Sequence, residues 1–162
     1  MGSSSDWPHL KGAVATLSAL GVSFRVHVSS AHRTPERTRA LVAAGERDGC
    51  RLFICAAGMA AHLAGTVAGL TLRPVLGVPM PGGILDGVDA LLSTVQMPPG
   101  VPVATFGIGA AGAKNAAIFA AQLVARDRPE VGERLAALRA QGEAEVEARE
   151  QELRARVEEE MG

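Results

Sequence analysis

Short apolar runs of strand character alternate along this chain with longer runs of helical period, and each strand-like run ends in a loop of small or polar residues. Phe24, Val26 and Val28 alternate with Ser23, Arg25 and His27, the period of two that predicts a strand. Arg51 to Ala57, Pro74 to Val78 and Val101 to Phe106 are apolar runs of strand length. Between them lie a helix from Pro35 to about Arg47, a short helix to about Leu70, a helical segment through Val88, Leu91 and Leu92, and an alanine-rich helix from Gly112 to about Ala125. A first helix carries Leu10, Val14, Leu17 and Leu20 on one stripe, with Ser5 or Asp6 as its cap and Gly21 closing it. Such alternation predicts an α/β fold, a parallel sheet covered on both faces by helices. With 162 residues, 48% of them hydrophobic, there is material for one compact domain, expected over residues 1–128. From Pro129 the chain turns rich in Glu, Arg and Ala, with Val131, Leu135, Leu138, Val146, Leu153 and Val157 at loosely helical spacing. Residues 129–162 therefore read as a long charged helical tail that packs on a neighbouring subunit.

Composition excludes several partners. A net charge of −1 and only two lysines, Lys11 and Lys114, leave no basic field for nucleic acid. No apolar run is long enough to span a bilayer and no secretory pattern opens the chain, so no membrane is expected and the expected compartment is cytoplasmic. Cys50 and Cys55 lack metal-ligand spacing and read as free thiols. The four histidines, His9, His27, His32 and His62, offer no helical pair with a carboxylate, so no metal is expected. Gly107-Ile108-Gly109-Ala110-Ala111-Gly112 matches a dinucleotide fingerprint in form, but no further strand follows to supply the acidic ribose ligand. Those glycines instead suggest close approach of backbone to a ligand or to a neighbouring element. Neither a P-loop nor a G-x-S-x-G elbow is present.

Four small-residue loops remain: Ser3 to Asp6, Ser30 to Arg33, Ala57 to His62 and Pro79 to Gly83. At the carboxyl ends of parallel strands they would converge on one pocket. Thr34 can cap the helix that Pro35 begins, which puts His32 and Arg33 beside a helix N-terminus that favours anions. Hydroxyls, backbone amides and Arg33 suit a phosphate, Asp6 suits sugar hydroxyls, and His32 is a proton carrier near neutral pH. The residues thus point to a phosphorylated small molecule and acid-base chemistry.

The strings GSSSDWP, SSAHRTPERT, AAGMAAHLAG, PVLGVP, GVDALLSTVQMPPGVPVAT and GAAGAKNAAIFAAQLVA resemble, in order and spacing, the PurE family of purine biosynthesis, the 5-(carboxyamino)imidazole ribonucleotide mutases. The resemblance spans Gly2 to about Ala125 and implies a flavodoxin-like three-layer sandwich, a homo-octamer, and rearrangement of 5-(carboxyamino)imidazole ribonucleotide to 4-carboxy-5-aminoimidazole ribonucleotide through CO2, with no cofactor. It implies further that His32 is the general acid-base, that Ser3, Asp6, Ser30 and Arg33 bind the ribonucleotide monophosphate, and that Gly58 and His62 belong to the active-site loop. Arg33 stands where related carboxylases using free CO2 tend to carry Lys, which favours the mutase over two alternatives, such a carboxylase acting on aminoimidazole ribonucleotide or a non-catalytic nucleotide-binding homologue. Met59 and Ala64 depart from the glycine and proline usual in the family, and Pro81-Gly82-Gly83 departs from its usual polar sequence. The family also places a buried strand before the GSSSD loop, so the resemblance implies that the first strand is absent from this sequence and that the amino end is longer or differently assigned.

Overall fold

Val75–Pro79 are five consecutive buried residues, and they form the central strand β2 of the structure, a computed structural model that describes residues 1–162. A strand buried without alternation needs helices on both of its faces. On one side β2 pairs in parallel with β1 (Phe53–Ala57), from Phe53 opposite Val75 to Ala57 opposite Pro79. On the other it pairs in parallel with β3 (Ala104–Thr105), Leu76 opposite Ala104 and Gly77 opposite Thr105.

The helices are α1 (Trp7–Ala19), α2 (Pro35–Arg47), α3 (Leu63–Ala68), α4 (Val88–Val95), α5 (Gly109–Ala125) and α6 (Pro129–Met161). Neighbouring strand residues point to opposite faces, and β1 divides its side chains between two cores. Ala56 joins Leu76 and Val78 against Leu10, Ala13 and Leu17 of α1 and Ala113, Ala116, Ala117 and Ala120 of α5. Cys55 joins Val42 of α2 and Leu63, Ala64 and Val67 of α3. Alanines on α5 let α1 and the sheet approach closely where longer side chains would hold them apart. The α/β class and the long C-terminal helix expected from the sequence are both present. No helix is long and apolar enough to cross a membrane.

Four local expectations are corrected. Residues 23–28 run extended but belong to no ladder, because a strand needs a partner and these N–H groups have no backbone acceptor. Phe24, Val26 and Val28 are accordingly exposed. The last strand shrinks from 101–106 to Ala104–Thr105, since Pro102 has no N–H and the Val101 N–H is spent in a turn on the Pro98 carbonyl. The helix expected from Gly112 begins at Gly109. Finally, neither Asp6 nor Thr34 caps the helix it precedes with its side chain. Ser3 instead caps a 3-10 turn, Ser4–Asp6, that leads into α1.

Candidate active site

The loops the sequence singled out gather near the carboxyl ends of β1 and β2, and hydrogen bonds hold three of them in place. Gly2 N–H donates to the Ala56 carbonyl at 2.8 Å, seating the Ser3 loop against the end of β1. Ser29 N–H donates to the Met1 carbonyl at 3.0 Å, seating the loop that carries His32 on the other side of the same residues. Met80 N–H donates to the Ala57 carbonyl at 2.9 Å, which draws the exit of β2 beside Gly58. A Cβ added to Gly58 would lie 3.4 Å from the Met80 carbonyl oxygen, so the chains meet closely there.

Within the first loop, Asp6 Oδ2 accepts from Ser3 N–H at 3.0 Å while Ser3 Oγ accepts from Ser5 N–H at 3.3 Å and Ser5 Oγ–H at 2.7 Å. This reciprocal capping box fixes both side chains. In the second loop, Thr34 Oγ1 accepts from Ser30 N–H and donates to the Ser30 carbonyl, each at 3.0 Å. Ser30 Oγ accepts from Arg33 N–H at 3.2 Å. The hydroxyl expected to cap α2 is therefore turned back to tie the His32 turn. Arg33 is exposed and engaged in no ion pair, leaving its five donors for an anion.

His32 and His62, thirty residues apart in sequence, meet across the rim. His32 Nε2 lies 2.6 Å from His62 Nδ1, with the rings edge to face at 88°. One nitrogen must donate and the other accept, so a single proton lies between them. His32 Nδ1 and His62 Nε2 have no protein partner and are left for a ligand or water.

The loop joining β1 to α3 is bent by two residues with left-handed backbones, Met59 at φ 57° and Ala61 at φ 42°. Met59 therefore holds a conformation in which glycine would be unstrained, and its side chain is exposed. Ala61 and Leu63 turn into the core. Two residues escaped the sequence reading of this rim. A Cβ on Gly109 would lie 3.6 Å from Pro81 Cδ and 3.9 Å from His9 Nδ1, which brings the start of α5 and the first turn of α1 to the same edge. The signal for His9 was its place just after the Ser3 to Asp6 loop. Gly107 and Gly112 serve a neighbouring element: a Cβ on Gly112 would fall 1.6 Å from the Gly107 carbonyl oxygen. Cys55, nearby but fully buried, has its thiol pushed up to about 12 by burial and offers no nucleophile.

The chain is similar to several known proteins. The bifunctional purine synthesis protein purC/E of Dictyostelium discoideum is 50% identical over 131 residues, 81% of this chain, though the match spans only 13% of that longer protein. The N5-carboxyaminoimidazole ribonucleotide mutase of Escherichia coli K12 is 48% identical over 135 residues, covering 83% of this chain and 80% of that protein. Among solved structures, Treponema denticola PurE superposes with a TM-score of 0.84 at 27% identity, over 94% of both chains. The AIR carboxylase (AIRC) family model matches residues 1–145, and the chain belongs to that family.

Proposed function

We propose that this protein is an N5-carboxyaminoimidazole ribonucleotide mutase, moving a carboxylate from the exocyclic nitrogen of the ribonucleotide to a ring carbon through free CO2. The observation that carries the reading is the His32–His62 pair, held by two loops at the rim where Arg33 stands unpaired. Its relatives' names point to the same reaction. The phosphate is assigned to Arg33, Ser30 and Ser3, and the ribose to the Asp6 carboxylate, whose Oδ1 has no partner within the loop.

In the first half, protonated His32 gives its proton to the exocyclic nitrogen while the N–CO2 bond breaks and CO2 departs. In the second half the ring carbon bonds to CO2, and neutral His32 removes the proton from that carbon. The proton returns to its donor, so the reaction is an isomerisation needing no external reagent. One imidazole can serve both steps. His62 orients His32 through the shared proton, and Gly58 lets the substrate approach the backbone. Ala60 is left to enclose CO2, since Ala61 and Leu63 are buried in the core and Ala57 packs against it. The working assembly is assigned as a cytoplasmic homo-octamer in which residues 129–162 pack on neighbouring copies of the 1–128 domain.

Turnover of the carboxyamino ribonucleotide without ATP or added bicarbonate tests the assignment. His32→Asn is expected to lower it by more than about 10²-fold, and His62→Asn by less, because it removes the orienting partner only. Activity surviving His32→Asn would remove the proposed base. Turnover of aminoimidazole ribonucleotide with CO2, and none of the carboxyamino compound, would make the protein a carboxylase.

A further inference from the structure

Strand β1 ends at Ala57, and the chain reverses through Gly58, Met59, Ala60 and Ala61, closed by the Ala61 N–H donating to the Gly58 carbonyl at 3.0 Å. Met59, the first of the two inner residues, has φ 57°, while Ala60 after it keeps a negative φ. A turn of that kind ordinarily places glycine first, because a Cβ there crowds the backbone. Here the glycine stands one place earlier, where an added Cβ would lie 3.4 Å from the Met80 carbonyl oxygen. Strain of this sort persists where something compensates for it. Packing within the chain does not: the Met59 side chain is 68% exposed and joins none of the core clusters. The turn instead sets a long apolar side chain at the rim, three residues before His62, whose ring meets His32 at 2.6 Å.

We propose that Met59 retains CO2 between the two halves of the reaction and so sets the share of turnovers that end in the carboxylated ring. The proposal rests on the mutase reading above and assigns it a further residue. CO2 carries no hydrogen-bond donor and no net charge, so apolar surface and exclusion of water must hold it beside the ring carbon. Ala61 and Leu63 are buried in the core and Ala57 packs against it, which leaves Ala60 with a single methyl group. Met59 is the one long apolar side chain between Gly58 and His62, and an unbranched thioether adapts its shape to a small guest. Its exposure leaves it unengaged and free to close on that guest. When CO2 escapes, the N–CO2 bond has broken, the proton from His32 stays on the exocyclic nitrogen, and aminoimidazole ribonucleotide is left. His32 then recovers a proton from water. Escape and recapture therefore compete from one intermediate, and the apolar cover decides between them.

The test follows a label through the full chain's reaction. Carboxyamino ribonucleotide carrying carbon-13 in its carboxylate is turned over in unlabelled bicarbonate with carbonic anhydrase, which mixes any escaped CO2 with the pool. Product label and released aminoimidazole ribonucleotide are measured above the enzyme-free rate. The unsubstituted protein is expected to keep its label. Met59→Ala is expected to release at least about 10-fold more aminoimidazole ribonucleotide per product and to incorporate unlabelled carbon. Met59→Leu, of similar volume, should retain CO2 as methionine does. Met59→Gly, unstrained at this φ, should leak like the alanine variant, which separates side chain from backbone. Unchanged leakage in Met59→Ala, even with a lower kcat, overturns the proposal and leaves the mutase reading standing. Equal leakage in Met59→Leu and Met59→Ala overturns it too, as does retention by Met59→Gly. No turnover by the unsubstituted protein removes the mutase reading, and the proposal with it.

Discussion

At Met1 an ammonium group is set between two backbone walls, and its pKa is lowered from 8.0, first by burial and against the smaller opposing pull of Cys55 and Asp6. The unfolded chain then holds this proton more tightly than the folded one, so stability rises with pH across the interval from the lowered value up to about 8. Below that interval both states are protonated and the cost of burying the charge is fully present; above it both are neutral and the cost is gone. Melting at pH 6, 7, 8 and 9 should therefore show a component of Tm that climbs toward pH 8. Acetylating the amine should abolish that component while keeping an N–H for the His27 carbonyl. An identical pH slope in the acetylated protein would show that the climb comes from other groups. Arg25 and Asp48 do not confuse the measurement: their pairing raises the guanidinium and lowers the carboxyl, and both then titrate outside the interval.

At the scale of elements, the tightest fit is the entry to α5. Gly112 is buried in the first turn of that helix, directly over the Gly107 carbonyl, and a methyl group at 1.6 Å cannot be accommodated without moving backbone. Gly112→Ala is expected to destabilise the fold by about 2–3 kcal/mol, read as a lowered denaturation midpoint with an unchanged slope. Gly142→Ala, in α6 with nothing near its Cβ position, should be neutral or stabilising by up to about 1 kcal/mol. The contrast shows what a sequence can disclose. The Gly107 to Gly112 string announced close approach, but only the folded structure shows that the approaching atom is the chain's own carbonyl. β1, β2, α2, α4 and α6 were legible because their signal is local, a buried run or a 3.6-residue period. The segment 23–28 has an equally good local signal and fails, because a ladder is a property of two segments and only Met1 offers this one backbone hydrogen bonds. Ser3, Asp6, Ser30, Arg33, Gly58 and His62 were read as one site from loop chemistry and family resemblance. The contact between His32 and His62 spans thirty residues and no periodicity could have foretold it. Nor could it foretell that the Thr34 hydroxyl turns back to Ser30 instead of capping α2.

For the whole molecule, α6 is the unbalanced part. Its 33 residues span about 50 Å, against about 26 Å for the 17 residues of α5 on which it lies. Val131, Leu135 and Leu138 use that support, packing around Leu20, Ala121 and Val124. The two helices then part, and a cleft of about 890 Å³ opens between Lys114, Ile118 and Gln122 on α5 and Leu138, Gln141 and Glu145 on α6. Farther out, Val146, Leu153, Val157 and Met161 continue nearly the same helical stripe with nothing against it, and all four are exposed. The spacings of seven, four and four residues keep them on one face about 80° wide, the pattern of a helix that seats on another surface. If that surface is another copy of the chain, Val146→Glu, Leu153→Glu and Val157→Glu together should lower the particle mass measured by light scattering. Far-ultraviolet dichroism should hold, since Glu is a good helix former. Dichroism and thermal midpoint measured at the same concentration separate loss of assembly from loss of fold. An unchanged mass would free the distal helix from any role in assembly.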